Sequence, residues 1–387
     1  MRTKVRKGDR MKRIKIVHTG DIHFDTPFKE VTGLQRKINK EELKEVFKKI
    51  IHFCKGNSVD ILLLAGDIFD NFTLNRETLH FIENTLGELT TTRVFISPGN
   101  HDPYEENSFY KVIQWPKNVH IFKGGLEKVY IEELDANIWG AAFEETYVRE
   151  SILKGFNGDS KSINIMVLHG EISNSKIGNE YNPITIDEIG NSGMDYIALG
   201  HRHSYSGINR YKGTYYAYCG CPQGRGFDEL GDKGIIYGYV SKGVVELDFV
   251  KTSIRNYLEK RVNIEGTYGY EEIKSRILAS INEEDRKNNF CKIFIEGEIS
   301  EDLNIDEEVL RKKLSKDFYF CKIKDNTIYK YNLEEISKGY SIKGIFAKKL
   351  ITKLESAATD EEKEIIMMAL KYGISSLSEG EVKINDN

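Results

Sequence analysis

Five short apolar segments in the first two thirds of the chain each end in a side chain that can bind a metal or move a proton. We predict that these segments are buried strands, because each is a short apolar run bounded by turn residues. They run into Asp21, Asp67, Asn100, His169 and His201, mostly beside Gly. In α/β sheets, ligands bind outside the carboxyl ends of the strands, and Gly there lets the backbone turn sharply. The pattern therefore predicts an α/β fold with one polar site at these strand ends.

Seven side chains at these strand ends are predicted metal ligands. Asp21 and His23, like His201 and His203, are two residues apart, so on extended chain both members project to the same side. Carboxylate, amide and imidazole donors suit Mn, Fe or Zn better than Ca or Mg. Seven ligands exceed the need of one ion, so we predict two ions, bridged by Asp67. The predicted ligands are Asp21, His23, Asp67, Asn100, His169, His201 and His203.

The third strand end also carries two candidate catalytic residues. His101 follows the predicted ligand Asn100, and its imidazole is suited to protonate a leaving oxygen or stabilise a phosphoryl group. Asp102 is predicted to orient that imidazole, as carboxylates commonly do. Asp70 has two interpretations that the sequence leaves open, a support for Asp67 or a turn residue. Two ions about 3.5–4 Å apart can activate water for in-line attack on a phosphoryl group, which indicates phosphoester hydrolysis.

Taken together and in order, these motifs resemble the calcineurin-like metallophosphoesterase superfamily. The stretches 18–25, 195–203 and 218–234 narrow the resemblance to the SbcD-type DNA repair exonucleases, and 218–234 is most similar to the YhaO-type branch. The resemblance covers residues 14–250. The motifs that carry it are Asp21-Ile22-His23, Gly66-Asp67, Gly99-Asn100-His101-Asp102, His169-Gly170 and Gly200-His201-Arg202-His203.

The resemblance implies a two-sheet β-sandwich flanked by helices, two Mn ions, and DNA cleaved as an exonuclease or endonuclease. It implies His101 as the catalytic histidine and a coiled-coil ATPase partner of the SbcC type. Archaeal members place a histidine where this chain has Asp70, so a DNA-contact role is not transferred to that position. A homodimer is a further implication. The two implied ligand sets are Asp21, His23, Asp67 and His203 for one ion, and Asp67, Asn100, His169 and His201 for the other.

Four regions are predicted along the chain. Residues 1–10 form a disordered basic extension, and residues 11–255 the metallophosphoesterase domain, in which 214–251 supplies antiparallel strands that close the second sheet. Residues 256–332 form a small α+β capping domain. Residues 333–387 form a helical segment that either binds the ATPase or packs on its own domain.

Composition limits the other expectations. Five scattered cysteines indicate a reducing cytoplasm rather than a disulfide framework, and the chain lacks an apolar run long enough for a membrane span. The net charge of −4 gives no overall positive charge of the kind that indicates nucleic-acid binding. Arg202, between two ligands, and Arg225, in a Gly-rich loop, are nevertheless predicted to contact DNA phosphates. Two alternatives are a phosphoesterase that acts on small phosphodiesters or nucleotides, and a scaffold without chemistry, which the complete ligand set disfavours.

Overall fold

The computed structural model describes residues 12–31, 33–70, 74–158, 161–173, 179–300, 303–330 and 333–379. The chain divides into two compact units, Met1–Tyr257 and Leu258–Asn387. The division falls beside the domain boundary predicted after residue 255. The predicted basic extension, residues 1–10, lies outside the described residues.

The first unit contains two six-stranded sheets that pack face to face. In chain order, its strands are β1 (Ile14–Thr19), β2 (Ile61–Leu64), β3 (Arg93–Ile96), β4 (Val119–Ile121), β5 (Glu127–Ile131), β6 (Ala136–Gly140), β7 (Ile163–His169), β8 (Glu171–Ile172), β9 (Pro183–Ile184), β10 (Tyr196–Gly200), β11 (Asn209–Tyr211), β12 (Thr214–Tyr218), β13 (Gly234–Ser241) and β14 (Val244–Lys251). The first sheet has the order β14-β13-β1-β2-β3-β4, and the second has the order β11-β12-β10-β7-β6-β5. Buried side chains from both sheets, among them Ile16, Leu63, Ile165 and Ala198, form one cluster between them. The predicted two-sheet sandwich is confirmed.

Helices cover the outer faces of this sandwich. They are α1 (Gly33–Gly56), α2 (Arg76–Gly87) and α3 (Ile186–Asn191). The face of α1 that periodicity predicts to be apolar is buried, and Phe47 contacts Phe24 edge to face. Asn75 caps α2, because its side chain accepts a hydrogen bond from Thr78 N. Helix α1 begins at Gly33, and its first two turns are mostly polar.

The region 214–251 differs from its prediction, because its strands do not all join the second sheet. Strand β12 pairs with β10 in the second sheet, whereas β13 pairs with β1 in the first. Alternation of apolar residues identifies a strand but not its partner. The loop 219–233 therefore crosses from one sheet to the other.

The sheet topology places the predicted site. Strands β1, β2 and β3 are parallel neighbours, as are β7 and β10, so their carboxyl ends share an edge in each sheet. The two edges approach closely at Gly200, where an added Cβ would lie 1.8 Å from the carbonyl oxygen of Ala65. Only glycine allows this approach, which brings the strand ends of the two sheets together.

The second unit has its own sheet and helices. The sheet has three strands, and its residues share an apolar core with the helices Tyr270–Ser280 and Glu307–Leu314. The last three helices form a separate apolar cluster around Ala347, Leu370 and Ile374. The elements are β15 (Tyr257–Asn263), α4 (Tyr270–Ser280), α5 (Glu283–Asn288), β16 (Phe290–Ile299), α6 (Glu307–Leu314), β17 (Phe320–Tyr329), α7 (Leu333–Lys338), α8 (Ile342–Glu355) and α9 (Asp360–Glu379). Across the described ranges, no helix combines the length and apolar character needed to cross a bilayer.

Candidate metal centre

The structure brings the seven predicted ligands together, because each has a candidate ligand atom within 4.0 Å of that of another. Asp21 joins the pair that it forms with His203 to the rest, since it lies within 4.8 Å of Asp67 and His169. Asp67 is central, because its Oδ2 lies 3.6 Å from His23 Nε2 and 3.4 Å from His169 Nε2. Those two histidines come from different sheets. Asp67 therefore occupies the place that a bridging carboxylate requires.

The other ligands complete a set on each side of Asp67. On one side, His203 Nε2 lies 4.0 Å from Asp21 Oδ1, and these two residues form a potential metal-binding group with His23. On the other side, Asn100 Oδ1 lies 2.9 Å from His169 Nε2. His201 Nδ1 is 3.3 Å from the same oxygen. This arrangement is compatible with two ions that share Asp67.

Four of these ligands have a left-handed backbone. The φ angles of Asp21, His23, Asp67 and His201 are 50°, 51°, 48° and 109°. Such conformations cost about 1–3 kcal/mol each outside glycine and persist only when the surroundings fix them. Here the surroundings include 2.9 Å hydrogen bonds from Asp21 N to the Gly66 carbonyl and from His23 N to the Asp67 carbonyl. The strain turns these side chains inward at the strand ends.

Hydrogen bonds prepare two of the histidines for metal binding. His169 Nδ1 lies 2.9 Å from the Ala65 carbonyl oxygen, and His23 Nδ1 lies 3.0 Å from Asp70 Oδ1. Both partners only accept, so Nδ1 carries the proton in each ring and Nε2 presents a lone pair. In the described structure, the buried His23 Nε2 has no hydrogen-bond partner. A buried nitrogen left unpaired beside a carboxylate fits a divalent metal ion.

The charge states also suit a metal. Burial lowers the pKa of His23 and His201 to about 4 and lowers that of His169, so all three are neutral near pH 7. Neutral imidazole is the form that ligates metals. Burial alone would raise the pKa of Asp67, but His169 and His23 hold it at about 2. Burial raises the pKa of Asp21 to about 6.

The orienting partner of His101 is Asp70. His101 Nδ1 lies 2.9 Å from Asp70 Oδ1, and this hydrogen bond raises the pKa of His101 to about 9. Burial would raise the pKa of Asp70, but its hydrogen bonds with His101 and His23 outweigh burial and keep the pKa below its usual range. Asp70 thus connects a predicted ligand to the predicted catalytic residue. Its position three residues after Asp67, at the same strand end, was the only sequence signal for this role.

Asp102 has a different role from the predicted one. Its carboxylate is buried and accepts hydrogen bonds from Asp67 N at 3.1 Å, Ile68 N at 2.7 Å and Gly99 N at 2.7 Å. It also accepts one from the Tyr110 hydroxyl at 2.7 Å. Burial and the charge of Asp67 raise its pKa to about 8. The prediction that Asp102 orients His101 is wrong, because its side chain turns under the loops and ties two strand ends together.

Tyr110→Phe tests this structural role. The substitution removes a buried donor to Asp102, and we expect the free energy of unfolding to fall by about 1.5–3 kcal/mol. Chemical denaturation would measure the change. The matched control is Tyr130→Phe, whose exposed hydroxyl bonds Asp135 at 3.1 Å and should change stability by less than about 0.5 kcal/mol. Equal effects of the two substitutions would contradict a structural role for the Asp102 contact.

The two arginines predicted to contact DNA lie in different environments. The Arg202 side chain is 52% exposed, 3.2 Å from Glu171 Oε1 and 5.4 Å from the centre of the Tyr218 ring, so it remains accessible to a substrate. The Arg225 side chain is only 12% exposed and is ion-paired with Glu229. This burial and ion pair disfavour the predicted DNA contact of Arg225. The glycine-rich sequence gave no sign of the ion pair with Glu229.

The chain is similar in sequence to known proteins. Residues 14–205 match the sequence model of the family described as calcineurin-like phosphoesterase. Uncharacterized metallophosphoesterase YhaO of Bacillus subtilis (strain 168) is 30% identical over 246 residues, which cover 61% of this chain and 60% of that protein. The SbcD subunit of the nuclease SbcCD of Staphylococcus epidermidis is 23% identical over 298 residues, 66% of this chain and 77% of that protein. The crystal structure of TT1561 of Thermus thermophilus covers 62% of this chain and 99% of its own, at 11% identity and a TM-score of 0.40.

The family match extends from the first strand to beyond the last predicted ligand. It contains all seven ligand positions and His101. The family resemblance that the motifs predicted is thereby confirmed. The chain spans less than two thirds of the length of YhaO. Residues 14–205 belong to the calcineurin-like phosphoesterases.

Proposed function

We propose that the protein is a Mn-dependent nuclease that hydrolyses phosphodiester bonds of DNA in repair, with two metal ions in the site described above. The observation that carries the hydrolytic part is the position of Asp67 between His23 and His169, with His101 beside this group. Support for DNA as the substrate comes from the similarity to a nuclease subunit and from the accessible Arg202.

Each group at the site has a separate task in such a reaction. Two divalent ions in such a site activate a water molecule and offset the charge on the phosphoryl oxygens. Asp67 and the neutral histidines would hold the two ions. Asp70 keeps a proton on His101 Nδ1, which leaves Nε2 to donate a proton to the leaving oxygen. The His101 side chain is 52% exposed, so a substrate can reach it from solvent.

DNA and small phosphodiesters are distinguished by direct comparison. The purified protein with Mn is incubated with linear DNA and, in parallel, with a panel of nucleotides and small phosphodiesters. We expect cleavage of DNA that a chelator abolishes and added Mn restores. Turnover of the small substrates without DNA cleavage would overturn the nuclease proposal and favour the alternative, a small-molecule phosphodiesterase.

Arg202→Ala tests how DNA is bound. Loss of one charged contact to phosphate should raise KM for DNA about tenfold. The slope of log binding constant against log salt concentration should become shallower by about one. KM for a small phosphodiester should change less. Arg93→Ala is the control, since Arg93 is similarly exposed at 49% and ion-paired with Glu133, but lies at the opposite end of β3. Equal changes in both variants would argue against a specific role for Arg202.

We also propose a cytoplasmic, SbcC-like coiled-coil ATPase as the partner, bound by the helical segment α7–α9. Support comes from apolar side chains that remain exposed on that segment, including Ile342, Ile365 and Met368. Co-purification of the full chain with such an ATPase should be lost in Ile365→Asp. It should persist in Val112→Asp, which alters an exposed apolar side chain of the first unit. Equal binding by both variants would place the contact elsewhere. Sedimentation of the free protein would test the homodimer.

A further inference from the structure

The loop 219–233 passes the metal centre as it crosses from β12 in the second sheet to β13 in the first. Three of its five charged residues, Arg225, Glu229 and Lys233, have no role as predicted metal ligands. We propose that Glu229 is a positioning residue that holds the His203 ring in the orientation and tautomer needed to bind metal. The inference rests on the proposed metal centre and is independent of the proposed DNA substrate.

His203 needs such a support more than its partners do. It follows β10 of the second sheet, whereas Asp21 and His23 follow β1 of the first, so His203 must be held across the gap between sheets. Its side chain is 32% exposed, in contrast to the buried Asp21 and His23. The loop 219–233 supplies the missing contacts because it begins in one sheet and ends in the other.

The loop holds both the backbone and the ring of His203. The His203 carbonyl oxygen accepts hydrogen bonds from Lys233 Nζ at 2.9 Å and from Cys221 N at 3.3 Å. The ring contacts Glu229, with Nδ1 2.8 Å from Oε1. Lys233 and Glu229 are both buried. Lys233 directly precedes β13, the antiparallel partner of β1, so these contacts connect His203 to the strand that precedes Asp21.

The protonation state of the ring follows from its neighbours. Glu229 Oε2 accepts a hydrogen bond from Arg225 N at 2.8 Å, and Oε1 accepts one from Arg225 Nε at 3.1 Å. Arg225 Nη2 also lies 2.9 Å from His203 Nδ1, but a guanidinium only donates. Arg225 Nη2 donates to Glu229 Oε1, and this oxygen, which only accepts, also lies beside His203 Nδ1, so Nδ1 carries a proton. The Nε2 atom then faces Asp21 Oδ1 and would be the ligating atom.

Glu229→Gln is a sharp probe because it preserves shape and removes one acceptor. Donors face both oxygens of Glu229. An amide nitrogen at either position would therefore confront a donor. If the nitrogen faces His203, it drives the proton from Nδ1 to Nε2 and blocks the ligating atom. If the nitrogen faces Arg225, the ion pair with Arg225 is lost and the side chain at position 229 is no longer held in place.

The experiment measures Mn binding by titration calorimetry and by electron paramagnetic resonance. We expect Glu229→Gln to weaken the binding of one of the two Mn ions about 10–100-fold. The resonance spectrum of a coupled Mn pair should then be replaced by that of a single bound Mn ion. Glu229→Asp, which keeps the charge but shortens the reach, should give an intermediate affinity and serves as the second variant if Glu229→Gln does not fold. Asp195→Asn is the matched control. Asp195 is also buried and paired with a cation, Lys242, but it precedes β10 at the end remote from the site, so Mn affinity should not change.

A double-mutant cycle with His203→Ala separates positioning from a general structural role. If Glu229 acts through His203, Glu229→Gln should cause no further loss of Mn affinity once His203 is absent. Additive losses, or wild-type Mn affinity in Glu229→Gln, would overturn the inference. A protein that binds two Mn ions, loses one in Glu229→Gln and cleaves no DNA would overturn the nuclease proposal and support this inference.

Discussion

His101→Ala should lower kcat for phosphodiester cleavage by about 10²–10⁴-fold, the usual contribution of a positioned general acid, without loss of bound Mn. The backbone of residue 101 contacts the metal centre, because His101 N donates to Asp67 Oδ1 at 2.9 Å. This hydrogen bond is kept in the alanine variant. The imidazole is bonded to Asp70 and half exposed. Steady-state kinetics and elemental analysis of the metal content would measure the two quantities.

The alternative is that His101 is itself a ligand. His23, Asp70 and His101 have potential ligand atoms within 4.8 Å of one another. If these three bind an ion, His101→Ala would lose metal as well as activity. Loss of Mn in proportion to the loss of turnover would therefore contradict the role of His101 as a proton donor.

Asp70→Asn provides the matched control for this role. An amide weakens the hydrogen bond that orients His101 but leaves its Nε2 in place, so kcat should fall less than in His101→Ala. In the double variant, we expect no loss beyond that of His101→Ala, because residues that act as a unit are not additive. Full additivity would show that Asp70 contributes mainly through His23, its other partner.

The comparison of Asp70 with Asp102 shows where prediction from the sequence ended. The ligand positions could be predicted because Asp, Asn or His beside Gly at the ends of parallel strands is a local pattern with a topological consequence. The hydrogen-bond partner of the His101 ring could not be predicted in this way, because it is distant in sequence. Asp102 is adjacent in sequence, yet its carboxylate turns under the loops, and the orienting carboxylate comes from the end of β2 instead.

The same limit explains the two other differences. Apolar alternation predicted the strands in 214–251, but the pairing of β13 with β1 depends on the crossing loop and on contacts far away in sequence. The Gly-rich sequence around Arg225 predicts a loop, but it does not reveal that Arg225 is largely buried and ion-paired with Glu229. Burial of a charged residue depends on its partner, and a partner four residues away in an irregular loop has no periodic signal.

Asp67→Asn should have the largest effect on the metal centre, because it removes a carboxylate oxygen that lies 3.6 Å from His23 of one ligand set and 3.4 Å from His169 of the other. We expect Mn content to fall from two ions to fewer than one. The loss of several kcal/mol of charge stabilisation should lower turnover by at least about 10³-fold. Asn can keep the hydrogen bond from His101 N through its oxygen. Its NH₂ group then takes the place of Oδ2.

That replacement is unfavourable for metal binding in two ways. An amide nitrogen cannot ligate, and its hydrogens would point at His23 Nε2 and His169 Nε2, which lie 3.6 and 3.4 Å from Oδ2. Both lone pairs would then be occupied by hydrogen bonds. Asp60→Asn is the control at the opposite end of β2, where the carboxylate accepts from Lys15 N at 2.8 Å, and it should leave the Mn content at two. Retention of both ions in Asp67→Asn would mean that another group bridges them, and the division of the ligands around Asp67 would be wrong.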